Sequence, residues 1–320
     1  MNAAPLLVSF TSVNKYLEAL PEKHRIEYSE EIERLLDISL PPVVSPYCLA
    51  VMFGYSLNFV YALSKKQKKF YRSFEIKQGK KKRKIHSPKV ALKVIQKWFG
   101  FHLDSALIFP PHIYGFIKGR SFADAAKQHV GANWVFSIDI INFFPSISQE
   151  EVSSSLECIG YSNQAAELMA ALCCLDGVLA QGSPASPVLS NIYMKKIDEA
   201  LLEVAKKHNI RITRYADDIV FSGKVNFDPA IKEDVYLIFK NTNLQLNKDK
   251  HYLANANKGE RLKVHGLLIK DDKITLTKGY RNKLRAYKHM LKTGKICEDD
   301  IPRINGHIKF SEFIEKTNKK

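Results

Sequence analysis

Two adjacent carboxylates, Asp217 and Asp218, lie in the run Arg214-Tyr215-Ala216-Asp217-Asp218-Ile219-Val220-Phe221-Ser222. Ile212 leads in and Ile219, Val220 and Phe221 lead out, so the stretch reads as a β-hairpin with the acids at or beside its turn. Carboxylates this close repel unless a cation sits between them, and a hard metal with oxygen ligands suits that role. Taken alone, the pair reads more readily as an acidic surface turn. A third acid, Asp139, follows the strand-like run Asn133-Trp134-Val135-Phe136-Ser137-Ile138. An isolated carboxylate at the end of an apolar strand is costly to bury. Metal coordination would explain it, and capping of the next turn is the other explanation. Strands distant in sequence can be neighbours in a sheet. Three acids brought together that way suit phosphoryl transfer with two Mg²⁺ ions. One ion lowers the pKa of an attacking hydroxyl; the other holds a triphosphate and the leaving pyrophosphate. Each ion keeps waters and substrate oxygens, so two or three carboxylates suffice.

The charge balance favours a polyanionic partner. The 320 residues carry 49 Lys and Arg against 33 Asp and Glu, a net +16, which makes nucleic acid the first expectation and an anionic membrane surface the second. The cations cluster. Lys77 to Ile85 contains Lys80-Lys81-Lys82-Arg83-Lys84 after Gly79, a hairpin arm suited to phosphate contact, with a lysine-protected edge strand as the competing reading. Tyr114 to Ser121 mixes glycines and aromatics with Lys118 and Arg120, either a path for a nucleic-acid strand or a plain turn. The end of the chain is basic and helical, with Arg281 and Arg285 among its cations. Metal, acids and basic runs together describe a nucleotidyl transferase.

The rest of the chain must position these groups. A 45% hydrophobic content supports a real core. Five cysteines without a C-x-x-C pair point to neither disulfides nor zinc, and a reducing cytoplasm is expected. No basic stretch followed by an apolar core opens the chain, so no secretion signal is expected. Val43 to Leu63 is uncharged but interrupted by Gly54 and Ser56, which predict a helix C-cap and a new N-cap; two short buried helices are expected, and no membrane partner. In the first forty residues Ile26, Ile32, Leu35 and Leu36 predict one helix face, ended by Pro41-Pro42. Phe70 to Ile76 alternates as a strand, and Ser87-Pro88 predicts the start of a helix. Ser148 to Glu151 reads as a capping box. A helix is expected from Asn163 to Leu175, then a rigid loop at Gln181-Gly182-Ser183-Pro184-Ala185-Ser186-Pro187, then a long helix. Asp228 to Asn241 is amphipathic, Leu244 to Lys250 alternates and then breaks, and Lys263 to Ile269 and Lys273 to Leu276 read as strands.

Phe136-Ser137-Ile138-Asp139-Ile140-Ile141-Asn142-Phe143-Phe144-Pro145-Ser146, the Gln181 to Pro187 loop and Arg214-Tyr215-Ala216-Asp217-Asp218 occur in that order. They resemble motifs A, B and C of reverse transcriptases, most of all the bacterial retron enzymes, from about Pro46 to the end of the chain. The resemblance implies an α+β right hand: an N-terminal helical extension over 1–42, mainly fingers over 43–136, mainly palm over 137–270 and a basic helical thumb over 271–320. It implies RNA-directed DNA synthesis with two Mg²⁺. Asp139, Asp217 and Asp218 match the metal-binding acids, with the Ile140 carbonyl as a further ligand and Asp218 the least direct. Phe144 matches the aromatic that excludes a 2′-hydroxyl and so selects dNTPs. Gln181 and Gly182 border the incoming nucleotide, Arg83 matches the arginine on its triphosphate, and Lys250 matches a proton donor to pyrophosphate.

A retron enzyme would take its own structured non-coding RNA as template, start from a guanosine 2′-hydroxyl, leave a branched RNA–DNA, and act in anti-phage defence beside an effector protein. Two departures stand out. The Asn-Ala-x-x-His pattern appears as Ala125-Ala126-Lys127-Gln128-His129, and Val-Thr-Gly appears as Val264-His265-Gly266. Both regions bear on RNA recognition in the family, so His129 joins Lys118, Arg120, Arg281 and Arg285 as an expected nucleic-acid contact. Group II intron and diversity-generating enzymes share motifs A to C and remain alternatives. So does a non-catalytic RNA-binding scaffold, against which the three intact acids argue.

Overall fold

The computed structural model describes residues 4–78 and 81–319. The fold is mixed α+β. Its strands in chain order are β1 (Tyr71–Gln78), β2 (Lys81–Pro88), β3 (Trp134–Asp139), β4 (Cys174–Leu175), β5 (Val178–Leu179) and β6 (Arg211–Tyr215). They continue with β7 (Asp218–Gly223), β8 (Tyr252–Asn255), β9 (Lys263–Val264), β10 (Leu267–Ile269) and β11 (Ile274–Thr275). The chain forms two compact units, residues 1–109 with 142–196 and residues 110–141 with 197–320.

In the first unit, Ser45 caps Pro46–Phe53, Gly54 ends it in the left-handed conformation (φ 66°), and Ser56 caps Leu57–Lys65. The two helices bend by 117°, and no single helix among the described residues is long and apolar enough to cross a membrane. The first forty residues pack onto this unit: Tyr16 Oη donates to the Cys48 carbonyl at 3.0 Å and Trp98 Nε1 to that of Pro5 at 3.0 Å. The helix Glu22–Asp37 buries Tyr28, Ile32 and Leu35. Ile26, expected on that face, is 75% exposed. The buried residues recur at i, i+4 and i+7, and Ile26, two positions before Tyr28, falls on the opposite side.

Strands β1 and β2 pair antiparallel from Tyr71↔Pro88 to Gln78↔Lys81; the expected glycine turn at Gly79 lies outside the described residues. Pro88 does not begin a helix. It closes β2, the Lys89 amide donates to the Phe70 carbonyl at 2.7 Å, and the helix Val90–Ala106 starts beyond it. The capping box forms as expected, Glu151 N–H to Ser148 Oγ and Ser148 N–H to Glu151 Oε2. The helix expected to reach Leu175 stops at Cys173. Cys174 and Leu175 pair instead with β5 across Asp176-Gly177, both at positive φ, as a two-residue hairpin turn requires.

In the second unit the central sheet has the order β6-β7-β3-β8, with every neighbouring pair antiparallel. Its β3 is paired on both edges and buries Trp134, Val135, Phe136 and Ile138. A smaller sheet, β11-β10-β9, shares a core with it that includes Val135, Val220, Val264 and Leu267. Lys263 to Ile269, expected as one strand, is broken into β9 and β10 by His265-Gly266, at φ 48° and 80°. Leu244 to Lys250 forms only the bridge Ile140↔Leu246 and a single helical turn, Lys248–Lys250. The basic helix Lys278–Lys292, capped by Thr277, buries Leu284 in the same core and leaves Arg281 and Arg285 exposed.

Candidate active site

The acidic hairpin forms where the sequence predicts it. Strands β6 and β7 close on the pair Tyr215↔Asp218, so Ala216 and Asp217 make the two-residue loop. Ala216 takes φ 58°, a state unfavourable for a residue with a Cβ, so the surroundings must hold it there. They do so on two sides. Arg214 is fully buried, bonds Asp198 through Nε–Oδ1 and Nη2–Oδ2, each 2.6 Å, and donates from Nη1 to the Ala216 carbonyl at 3.1 Å. Tyr114 and Gly115 donate their amides to the Arg214 carbonyl at 2.8 and 3.3 Å. A Cβ on Gly115 would lie 2.2 Å from the Ala216 nitrogen, so only glycine allows this approach.

Sheet register then delivers the third acid. Asp139 is the direct cross-strand partner of Asp218, and the Ile140 amide donates to the Asp217 carbonyl at 3.0 Å. Like charges facing each other across a ladder are destabilising without compensation. Each has its own partner here. Lys250 Nζ lies 2.6 Å from both oxygens of Asp139, and His265 Nδ1 lies 2.9 Å from Asp218 Oδ2. No ion pair reaches Asp217 among the described residues. Burial, followed by the charges of Asp139 and Asp218, holds its carboxyl above the ordinary range; its own backbone amide and Lys250 pull the other way.

Among the described residues no three Asp, Glu, His or Cys side chains converge closely enough to enclose an ion. What is present is an open set of hard oxygen donors. An ammonium already neutralises Asp139, and Asp217 lacks a cation. That donor chemistry fits Mg²⁺, which keeps most of its shell for water and phosphate. The two backbone bonds flanking Ile140 use the Asp139 carbonyl and the Ile141 amide, so neither consumes the Ile140 carbonyl.

The other expected residues divide between the units. Arg83, Phe144, Gln181 and Gly182 belong to the first. Arg83 is exposed on β2 opposite Ile76, and Phe144 is half-buried against Phe143. The Gln181 carbonyl accepts from the His86 amide at 2.8 Å, and Gly182, at φ 130°, would put a Cβ 2.6 Å from the His86 carbonyl. The basic hairpin and the Gln181 loop are thus joined through backbone, which demands glycine at 182.

One expected nucleic-acid contact, His129, is corrected, and a second, Arg120, is half-buried with partners of its own. His129 is fully buried, with Nδ1 at 2.7 Å from Ser222 Oγ and Nε2 at 2.8 Å from Thr213 Oγ1. It ties β6 to β7 from inside and cannot reach a nucleic acid. Arg120 turns inward and donates Nη1 to the carbonyls of Pro110 and Ile113, each at 2.5 Å. It braces the loop that backs the hairpin, and Lys118 is the exposed cation of that segment. His265, also in a region read as RNA-recognising, is buried against Asp218. The supports at Asp198, Gly115 and His265 were not read as part of the site. Their sequence signals are an acid in a helix, a glycine between aromatics and a histidine before a glycine, which many proteins share.

Residues 65–282 match the family described as reverse transcriptase (RNA-dependent DNA polymerase). The chain is 30% identical over 245 residues to the retron Ec86 reverse transcriptase of Escherichia coli, covering 75% of each protein. It is 28% identical over 251 residues to the retron Mx65 reverse transcriptase of Myxococcus xanthus, covering 72% of this chain and 58% of that one. Among solved structures it is similar to a Candida albicans telomerase at TM-score 0.45 and 11% identity, covering 78% of this chain and 55% of that one.

Proposed function

The chain belongs to the reverse transcriptases, RNA-dependent DNA polymerases, and within them to the retron enzymes, and we propose that it copies a cognate structured non-coding RNA into single-stranded DNA. Synthesis starts from a guanosine 2′-hydroxyl of that RNA and leaves a branched RNA–DNA product, which serves anti-phage defence together with an effector protein. The right-hand assignment of fingers, palm and thumb to 43–136, 137–270 and 271–320 is part of this reading. The observation that carries it is the register pair Asp139↔Asp218 with Asp217 in the adjoining loop, three carboxylates on two neighbouring strands.

Asp139 and Asp217 would hold two Mg²⁺ ions, with the Ile140 carbonyl and, less directly, Asp218. The bound ions supply Lewis acidity to the attacking 3′-hydroxyl and to the triphosphate. The remaining work falls to side chains. Lys250, whose ammonium is anchored on Asp139, is the proton donor to departing pyrophosphate. Arg83 takes the triphosphate. Phe144 lies under the sugar and excludes a 2′-hydroxyl, and Gln181 and Gly182 border the incoming dNTP. Exposed Lys118, Arg281 and Arg285 carry phosphates of the template and product.

Sequencing the nucleic acid that co-purifies with the protein tests the proposal. A DNA strand joined to an internal guanosine of an RNA is expected. Recovery of unbranched RNA alone, from cells supplied with the cognate non-coding RNA, would count against the retron product.

A further inference from the structure

We propose that His265 is a positioning residue for the catalytic centre: it fixes the carboxylate of Asp218 and thereby the spacing of the Asp139–Asp218 pair. The inference rests on the polymerase reading of those acids and goes beyond it by adding a residue from a second sheet.

Three observations carry it. The first is the contact itself, Nδ1 to Asp218 Oδ2 at 2.9 Å, with the imidazole side chain 6% exposed. A carboxylate only accepts, so Nδ1 bears the proton and donates. The second is what the ring lacks. Among the described residues, Nε2 is buried without a hydrogen-bond partner. A buried imidazole with one nitrogen unanswered is costly, and the bond to Asp218 is the ring's one hydrogen bond among the described residues. Tyr215, the residue that closes the acidic hairpin with Asp218, packs against the ring at 5.4 Å between centroids. The third is how the ring is delivered. His265 is the first residue of the two-residue turn between Val264 and Leu267, at φ 48°, followed by Gly266 at φ 80°. Both turn residues are left-handed, which for a histidine is uncommon and is imposed by the short connection. Val264 and Leu267 on either side are core residues. The turn is therefore anchored at both ends, and the imidazole reaches the acid from a rigid base.

The consequence is a division of labour. Asp218 and Asp139 face each other, and each is claimed by a different neighbour, His265 and Lys250 respectively. Lys250 is 47% exposed to water. His265 is not. Asp218 Oδ2 is thus held by a buried donor, and Asp217 and Asp139 are left as the principal metal-facing acids. Partners one step removed from a metal typically change its affinity or the activity about 10- to 100-fold when removed.

The turn itself supplies the test. Gly at 265 suits the left-handed turn and removes the donor, whereas Asn suits it and presents an amide N–H near the position of Nδ1. Mn²⁺ binding to the protein–RNA complex is followed by electron paramagnetic resonance, alongside RNA affinity and the Mg²⁺ dependence of primer extension. His265→Gly is expected to weaken Mn²⁺ binding and raise the Mg²⁺ midpoint, each about tenfold, with RNA affinity unchanged. His265→Asn should recover both to within about threefold. In an Asp218→Asn background, His265→Gly should add nothing further. Wild-type Mn²⁺ binding in His265→Gly, or loss of RNA affinity with Mn²⁺ binding intact, overturns the proposal. If the wild type makes no DNA, the polymerase reading fails instead, and the Mn²⁺ measurement still decides the role of His265.

Discussion

Arg214 and Asp198 form a fully buried, bidentate ion pair, and the same guanidinium holds the carbonyl of Ala216 in the loop that carries Asp217. The helix Ser186–Lys207 is thereby fastened to the acidic hairpin, and the strained φ of Ala216 is held from within.

Removing one partner of such a pair strands a charge away from water. Asp198→Ala is expected to destabilise the protein by about 3–5 kcal/mol, since it leaves the Arg214 guanidinium buried and unpaired. Denaturant unfolding measures this. A change comparable to that of a surface substitution would mean that the pair is not buried in solution.

Gly115 tests the backing of the hairpin separately from its stability. The Cβ of Gly115→Ala would meet the Ala216 nitrogen at 2.2 Å, so the loop must shift. Displacements of about 1 Å at a catalytic centre cost roughly 10²-fold in rate. Primer extension should fall by that order while circular dichroism stays close to wild type. Unimpaired synthesis would show that the contact does not position Asp217.

His129 makes a prediction about acid stability. Burial, followed by the charges of His265 and Arg211, lowers its pKa from 6.5 to about 3. The unfolded chain therefore binds a proton that the folded chain refuses between those values. Stability is complete above about pH 6.5 and declines as the pH falls, by about 1.4 kcal/mol per unit for this one group. His112, lowered to about 4 chiefly by burial, acts in the same direction. Urea unfolding of wild type and His129→Gln from pH 7 to pH 4 should give the shallower slope in the variant. Equal slopes would contradict a buried neutral histidine.

The helices at 46–65 and the capping box at Ser148 were legible because Ser, Gly and Glu act within a single turn. The acidic hairpin was legible because β-branched and aromatic residues flank the adjacent acids Asp217 and Asp218. Lys250 was reached only through the family pattern, and its ion pair with Asp139 spans 111 positions. Other features lay beyond local reasoning for the same cause. His129 and Arg120 look like surface cations, yet their partners are Ser222, Thr213 and the Pro110 and Ile113 carbonyls, brought to them by tertiary structure. Ile26 was misread because helical spacing alone does not say which apolar residue meets the core. The break at His265-Gly266 was hidden because histidine seldom adopts positive φ, and the turn that imposes it depends on β9 pairing with β10.

The central claim is that Asp217 is a metal-binding catalytic acid and not part of an acidic surface turn. Primer extension on an RNA template with dNTPs and Mg²⁺, run beside RNA binding for wild type and Asp217→Asn, tests it most directly. The account predicts DNA synthesis by the wild type, none detectable from Asp217→Asn, and RNA affinity unchanged within about twofold, because an amide keeps the shape and loses the charge that a cation needs. DNA synthesis by Asp217→Asn at the wild-type rate, or no synthesis by a wild type that still binds RNA, would contradict it.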